Sequence, residues 1–292
     1  MKRVICVGNL TKRIETIQGK KERTSVSGSI YGAVTAKRMG FDVTLVSKVS
    51  SKFPENLLKL IKSEKIEFIK QPAWEDTAYK IKYNKDGSKN VNILSDAGPI
   101  VSVPDISADV VLISSYFGAI SEGVLATLKK ENNVLALDAG GFIKYKNPGG
   151  ELSYVPWLEK EKYLKYVDIL KLNANELYYL TGKSTLNSAM ELLRLGPKIV
   201  TLTMGDKGSY IFYDKKYMKV PVYKTKVVDK SGVGDVYMAA FALKYAESRD
   251  LVDAAYFAAA AASFIVEKIG LEMPTLNKIT RRYKTLREMF LA

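Results

Sequence analysis

Short apolar runs alternate with amphipathic ones along most of the chain. The runs "RVICVG", "DVTLVSKV", "IEFIK", "DVVLISS", "NVLALDAG", "VDILKLN" and "KIVTLTMG" are rich in apolar residues, which predicts strands buried on both faces. Between them, "GAVTAKRMG", "ENLLKLIKSE", "SEGVLATLKKEN" and "SAMELLRLG" carry apolar residues at helical spacing. Strands separated by helices predict a parallel sheet with helices over both faces. No long linker, internal repeat or low-complexity tract interrupts the pattern, so residues 1–292 read as one α/β domain.

Two stretches break the alternation. "KRIETIQGKKERTSV" (12–26) and "TAYKIKYNKDGSKNVNILS" (77–95) read as hairpins with turns at Gly19–Lys20 and Asp86–Gly87. Their polar alternation suits a small sheet with one wet face. Ligands of open parallel sheets bind outside the carboxyl ends of the strands, and two hairpins there would form a water-excluding lid.

Composition narrows the chemistry. No apolar stretch is long enough for a membrane span, and "MKRVICVGN" is too brief for a signal peptide. Cys6 is the only cysteine and there is no histidine, which excludes disulfide frameworks, His/Cys zinc sites and histidine-based triads. A reducing cytoplasm is the expected setting, and any metal must be a hard ion held by oxygen. The net charge of +14 is scattered apart from "GKKER" and "ITRRYK", without a nucleic-acid-binding motif. It reads as a solvated surface that draws anionic ligands toward a cleft.

The chemistry gathers in three segments. In "VVDKSGVGDVYMAAFALKYA" (227–246), Gly232 and Gly234 precede a long helical run. Their N–H groups and that of Asp235 could converge on a phosphate, with Asp235 placed to accept a proton from an attacking hydroxyl. The other reading is a plain turn with Asp229 or Ser231 as N-cap. In "KLNANELYYLTGK", Asn173 and Glu176 would share a first helical turn, either facing a hydrated magnesium or closing a capping box. In "VTLTMGDKGSYIFY", Gly205 and Gly208 flank a tight turn that would let a nucleotide pass close to the backbone, or simply close a hairpin.

In this order the segments resemble the ribokinase-like (PfkB) carbohydrate kinase family. Its D-x-x-G-A-G-D signature is matched by Asp229, Gly232, Gly234 and Asp235, with Val233 for alanine; N-x-x-E by Asn173 and Glu176; and T-x-G-x-x-G by Thr203, Gly205 and Gly208. "YGAVTAKRMGFDVTLVSKV" and "AAYFAAAAASFIVEKIG" are similar to the family's first helix–strand unit and its late helix beside the adenine site. "LALDAGGFIKY…VDILKLNANE" is similar to archaeal members acting on inositol or nucleosides. The resemblance implies a three-layer α/β sandwich with a mostly parallel central sheet and a small β-sheet lid. It implies ATP and Mg²⁺, Asp235 as catalytic base and substrate contact, and residues Gly232, Val233 and Gly234 as the anion hole. Thr203, Gly205 and Gly208 would lie along the nucleotide, while Asn173 and Glu176 would act through the metal's water shell. Family members often bind a monovalent cation near the Asp229 loop.

Departures fall at the acceptor end. Where the family usually has an aspartate gripping substrate hydroxyls, "GNLTKRIE" presents Arg13; the glycine pair reads Ser27–Gly28, and G-x-D after "VSKV" reads Ser50-Ser51-Lys52. An arginine only donates, and its planar fork suits an anionic group on an acceptor or regulator; otherwise Arg13 points to solvent from a lid strand. The expectation is a cytoplasmic kinase that phosphorylates a hydroxyl of a small sugar, polyol or nucleoside. The alternative is a degenerate member that binds without turnover. Its partners are ATP and a small acceptor rather than nucleic acid or membrane, and the lid edge could pair with a second copy.

Overall fold

Along the chain, β1 (Arg3–Val7) leads to β2 (Leu10–Ile17), β3 (Lys21–Gly28), α1 (Ile30–Arg38), β4 (Asp42–Val49), α2 (Glu55–Ser63) and β5 (Glu67–Pro72). Next come β6 (Thr77–Tyr83), β7 (Lys89–Ser95), β8 (Val110–Ile113), α3 (Glu122–Leu128) and β9 (Val134–Asp138). A short pair, β10 (Lys144–Lys146) and β11 (Leu152–Tyr154), precedes α4 (Lys160–Leu164), β12 (Ile169–Asn173), α5 (Ala174–Thr181), α6 (Leu186–Glu191) and β13 (Ile199–Thr203). Then β14 (Ser209–Tyr213) and β15 (Lys216–Val220) lead into α7 (Val233–Ser248), α8 (Leu251–Ile265) and α9 (Leu276–Leu291). This computed structural model describes residues 2–17, 21–83, 89–118 and 120–291.

Among the described residues, nine strands form one sheet in the order β15-β14-β13-β12-β9-β8-β1-β4-β5. All neighbours from β13 to β5 are parallel, while β14 runs antiparallel to both β13 and β15. The apolar strands have two cores to fill. Val4 and Cys6 of β1 enter the core under α1, α7 and α8; Ile5 and Val7 enter the one under α3, α5 and α6. The same split divides Val110 and Leu112 from Val111 and Ile113 in β8. This is a three-layer sandwich, as the family resemblance implies, with the two-sided burial that continuous apolar strands predict. In α7, every residue from Val236 to Leu243 is buried. It is apolar all round because α1, α8 and the sheet surround it.

The lid is a separate sheet in the order β3-β2-β6-β7, two antiparallel pairs joined by parallel β2 and β6. The expected turn residues Gly19–Lys20 and Asp86–Gly87 lie outside the described residues. Along β2 the period of two buries Thr11, Arg13 and Glu15 and leaves Lys12, Ile14 and Thr16 partly exposed. Polar residues on a buried face are costly unless paired, so that face carries more than packing. Among the described residues no helix is long and apolar enough to cross a membrane.

Candidate active site

Parallel strands present their carboxyl ends on one edge, and side chains near those ends converge there. Ser114 and Ser115 follow β8, Asp138 closes β9, and Lys171 lies near the end of β12. Register makes the first contact. Lys171 and Asp138 are partners in the parallel β9–β12 pair, and Lys171 Nζ donates to Asp138 Oδ2 at 2.7 Å. The same ammonium lies 3.7 Å from Glu176 Oε2. Lid residues Ser27, Gly28, Tyr79 and Ile81 face these groups across a cavity of about 160 Å³.

The opening glycines enter from the loop before α7. Gly232 is the N-cap, left-handed at φ 73°, with no side-chain cap. The cap is therefore neither Asp229 nor Ser231. A Cβ on Gly232 would meet the Tyr31 ring at 2.2 Å, so backbone and neighbour both demand glycine. Gly234 has a different reason: a Cβ there would lie 2.8 Å from Lys171 Nζ. Its bare backbone lets a buried ammonium reach the helix start. Uncapped first-turn N–H groups, the helix dipole and Lys171 together put positive potential at the helix start, the kind of place that attracts an anion.

Asp235 sits in that first turn and lines the cavity. Its Oδ1 accepts the Ser114 hydroxyl. Burial, then repulsion from Asp138, pushes its carboxyl up from 3.8 to about 6, against the pull of Ser114 and Lys171. A carboxylate so tuned is largely ionised at neutral pH yet basic enough to take a hydroxyl proton as it is lost. Burial also raises Glu176, opposed by Lys171. For Lys171, burial works to remove the proton, but Asp138 and Glu176 outweigh it and keep the ammonium charged. Lys144 lies 4.5 Å from the ring centre of Tyr116, which stacks on Tyr79 at 4.2 Å. A larger open hollow of about 580 Å³, between Arg3, Asp109 and Asn133, lies at the opposite ends of the strands, away from these groups.

A family model described as pfkB family carbohydrate kinase matches residues 32–278. The chain belongs to the pfkB carbohydrate kinase family. A nucleoside kinase of Methanocaldococcus jannaschii is 29% identical over 319 residues, covering 97% of both chains. Another, from Methanothermobacter thermautotrophicus, is 32% identical over 139 residues, 47% of this chain and 44% of that relative. Among solved structures, a sulfate complex of a pyrophosphate-dependent kinase in the ribokinase family superposes with a TM-score of 0.82 at 23% identity, covering 96% of this chain and 99% of that one. That likeness carries the fold.

In this pfkB kinase, seven of the residues singled out from the sequence share the cavity wall: Ser27, Gly28, Glu176, Ser231, Gly232, Gly234 and Asp235. Val233 opens α7 beside them. Asn173 and Glu176 close the capping box, Asn173 Oδ1 accepting the Glu176 N–H at 2.9 Å and Glu176 Oε2 the Asn173 N–H at 2.7 Å. Asn173 pairs in register with Thr203 on β13. Beyond it Gly205 (φ 62°) and Gly208 (φ 89°) turn the chain into antiparallel β14, outside the cavity wall.

Arg13 is placed differently from either expectation. It neither points to solvent nor lines the cavity; its side chain is 1% exposed. Nη1 donates to Asp229 Oδ2 at 2.8 Å and Nη2 to Glu15 Oε2 at 2.7 Å. The fork expected to hold an anionic acceptor is spent on two carboxylates of the protein. Sequence reasoning missed Ser114, Asp138, Lys144 and Lys171. The available signal was the lysine inside "VDILKL", a charge in a strand otherwise fit for full burial.

Proposed function

We propose that this pfkB-family chain is an ATP-dependent kinase that transfers the γ-phosphoryl group to a hydroxyl of a small sugar, polyol or nucleoside. The observation that carries the reading is Asp235, a carboxylate raised to about 6, one residue after Gly234 in an uncapped helix turn. The acceptor O–H donates to Asp235; its oxygen forms the new P–O bond as the bond to the β-phosphate oxygen breaks, leaving ADP and a protonated Asp235. Helix N–H groups and Lys171 stabilise charge on the transferring oxygens.

Magnesium fits as a hydrated ion. Among the described residues, no three His, Cys, Asp or Glu side chains gather into a cage. Magnesium held by waters, one carboxylate and substrate phosphates needs none. Glu176 would hold it: Oε2 serves the capping box, while Oε1 would lie 2.9 Å from a Cβ on Gly140. When bound, the ion neutralises phosphate charge.

The test is phosphoryl transfer from ATP, and separately from pyrophosphate, across a panel of sugars, polyols and nucleosides. Transfer from ATP stimulated by one acceptor supports the reading. Transfer from pyrophosphate alone would replace the donor, and binding with no turnover on the whole panel would favour the degenerate alternative.

A further inference from the structure

The buried charges of the lid carry an inference about how the two halves of the site are held together. Arg13 lies in the middle of β2, in register with Ser25 of β3 and Tyr79 of β6. Tyr79 lines the cavity and donates to Ser27 Oγ at 3.2 Å. The Arg13 side chain leaves the lid and grips Asp229, 216 positions away, through both nitrogens: Nη1 to Oδ2 at 2.8 Å and Nη2 to Oδ1 at 3.3 Å. Asp229 Oδ1 accepts the Ser231 N–H at 3.0 Å, which fixes the turn immediately before Gly232. The Val228 and Asp229 N–H groups are tied to Val266 O at 2.6 and 3.2 Å, anchoring the same turn to the body of the protein.

Arg13, Glu15 and Asp229 are all nearly buried, with side chains 1%, 6% and 9% exposed. Buried ion groups of this kind add little stability over apolar residues of similar size, because desolvation offsets their attraction. Their geometric content is larger, since a planar fork fixes both distance and orientation. The fork joins β2, the strand between wall-bearing β3 and β6, to the turn that leads into the first amides of α7.

We propose that Arg13 is a positioning residue that couples the lid to the 229–235 turn, so that donor phosphate binding at the turn and closure of the lid reinforce each other. The donor half of this statement rests on the kinase reading above. Reciprocity then follows: by whatever factor the donor changes affinity for an acceptor held by the lid, that acceptor changes donor affinity by the same factor.

Hydrogen–deuterium exchange on the whole chain tests the coupling, with ATP and inorganic pyrophosphate as probes. In the wild type, whichever probe binds should slow exchange at least fivefold in the 229–235 turn and also in β2 and β6. In Arg13→Met the turn should keep its protection while the response of β2 and β6 falls below twofold. Arg13→Lys, which keeps the charge without the fork, should fall between. A structural role alone would change basal exchange without cutting this transmission. Full lid protection in Arg13→Met would overturn the proposal.

If neither probe protects the wild-type turn, the kinase reading fails and the latch is judged without ligand. Arg13→Met and Asp229→Asn should then each speed exchange in both segments, and the double variant should add no more than twofold. Independent, multiplying effects would overturn the coupling.

Discussion

The Ser114 hydroxyl, just past the end of β8, donates to Oδ1 of Asp235 in the first turn of α7, 121 positions later. A hydrogen bond to the charged form pulls a carboxyl down, and here it works against burial and the neighbouring Asp138. Asp235, the proposed base, is thus poised by opposed forces, and each has a measurable consequence.

The first consequence is an acid limb in the rate. Asp235 must be ionised to accept a proton, so kcat/KM should fall about tenfold per pH unit below about 6. Ser114→Ala removes a downward influence and should move that limb to higher pH by roughly one unit. A limb that stays in place, or moves to lower pH, would count against Asp235 as the titrating base.

The second is a trade of stability for function. A carboxyl whose folded pKa lies above its unfolded value stabilises the protein fully below the unfolded value, and that contribution is lost as pH rises through the folded one. For Asp235 the window runs from about 4 to about 6. Asp235→Asn should therefore melt close to wild type at pH 4 and higher at pH 7.5, by at most about 3 kcal/mol and less because the carboxyl is partly open to the cavity. The same variant should lose roughly two to four decades of kcat. Equal melting curves at both pH values would remove the strain, and an undiminished kcat would remove the base.

How much of this was legible depended on what the chain encodes locally. Strands such as "RVICVG" announce themselves because both faces are buried, and the glycine turn before α7 is a local backbone demand. Lys171 and Asp138 meet only because β9 and β12 are parallel neighbours in one register, which no short window contains. For Arg13, alternation along β2 set the inward side, but not that the Asp229 loop packs against it.

Glu176 answers to both readings of its segment. Glu176→Gln keeps an acceptor for the Asn173 N–H, so the capping box should survive with a loss of under about 1 kcal/mol. It removes a negative charge from the cavity, and half-maximal activity should require several-fold more magnesium. An unchanged magnesium titration would leave Glu176 as a cap alone.

Asp229 bears on the monovalent cation that the family resemblance raised. Its carboxyl is held below the ordinary value: burial works to raise it, but the Arg13 fork and the Ser231 N–H outweigh that. The guanidinium already occupies both Asp229 oxygens, so neither is left for a cation. Activity should then be unchanged, within about twofold, when tetramethylammonium replaces potassium at constant ionic strength. A tenfold loss, reversed by adding potassium, would show that the guanidinium does not suffice.

The two glycines of the turn should fail in different ways. Gly232 is left-handed at φ 73°, and its added Cβ would meet the Tyr31 ring at 2.2 Å. Gly232→Ala should cost about 1–2 kcal/mol for the backbone alone, plus displacement of a buried ring, and so lower Tm by several degrees. Gly234 lies within α7 without positive φ, where alanine is the better helix former by up to about 1 kcal/mol. Its new methyl meets chiefly the end of the Lys171 side chain, at 2.8 Å from Nζ and 3.2 Å from Cε, with Asp138 Oδ2 at 3.9 Å. Gly234→Ala should keep Tm within a few degrees of wild type while pushing the ammonium off the helix start, with kcat down at least tenfold. Melting curves and kcat on the same two proteins decide the matter. A Gly234→Ala variant that retains full activity would mean that Lys171 does not act at the anion site, and one as unstable as Gly232→Ala would mean that the second glycine serves the backbone rather than the lysine.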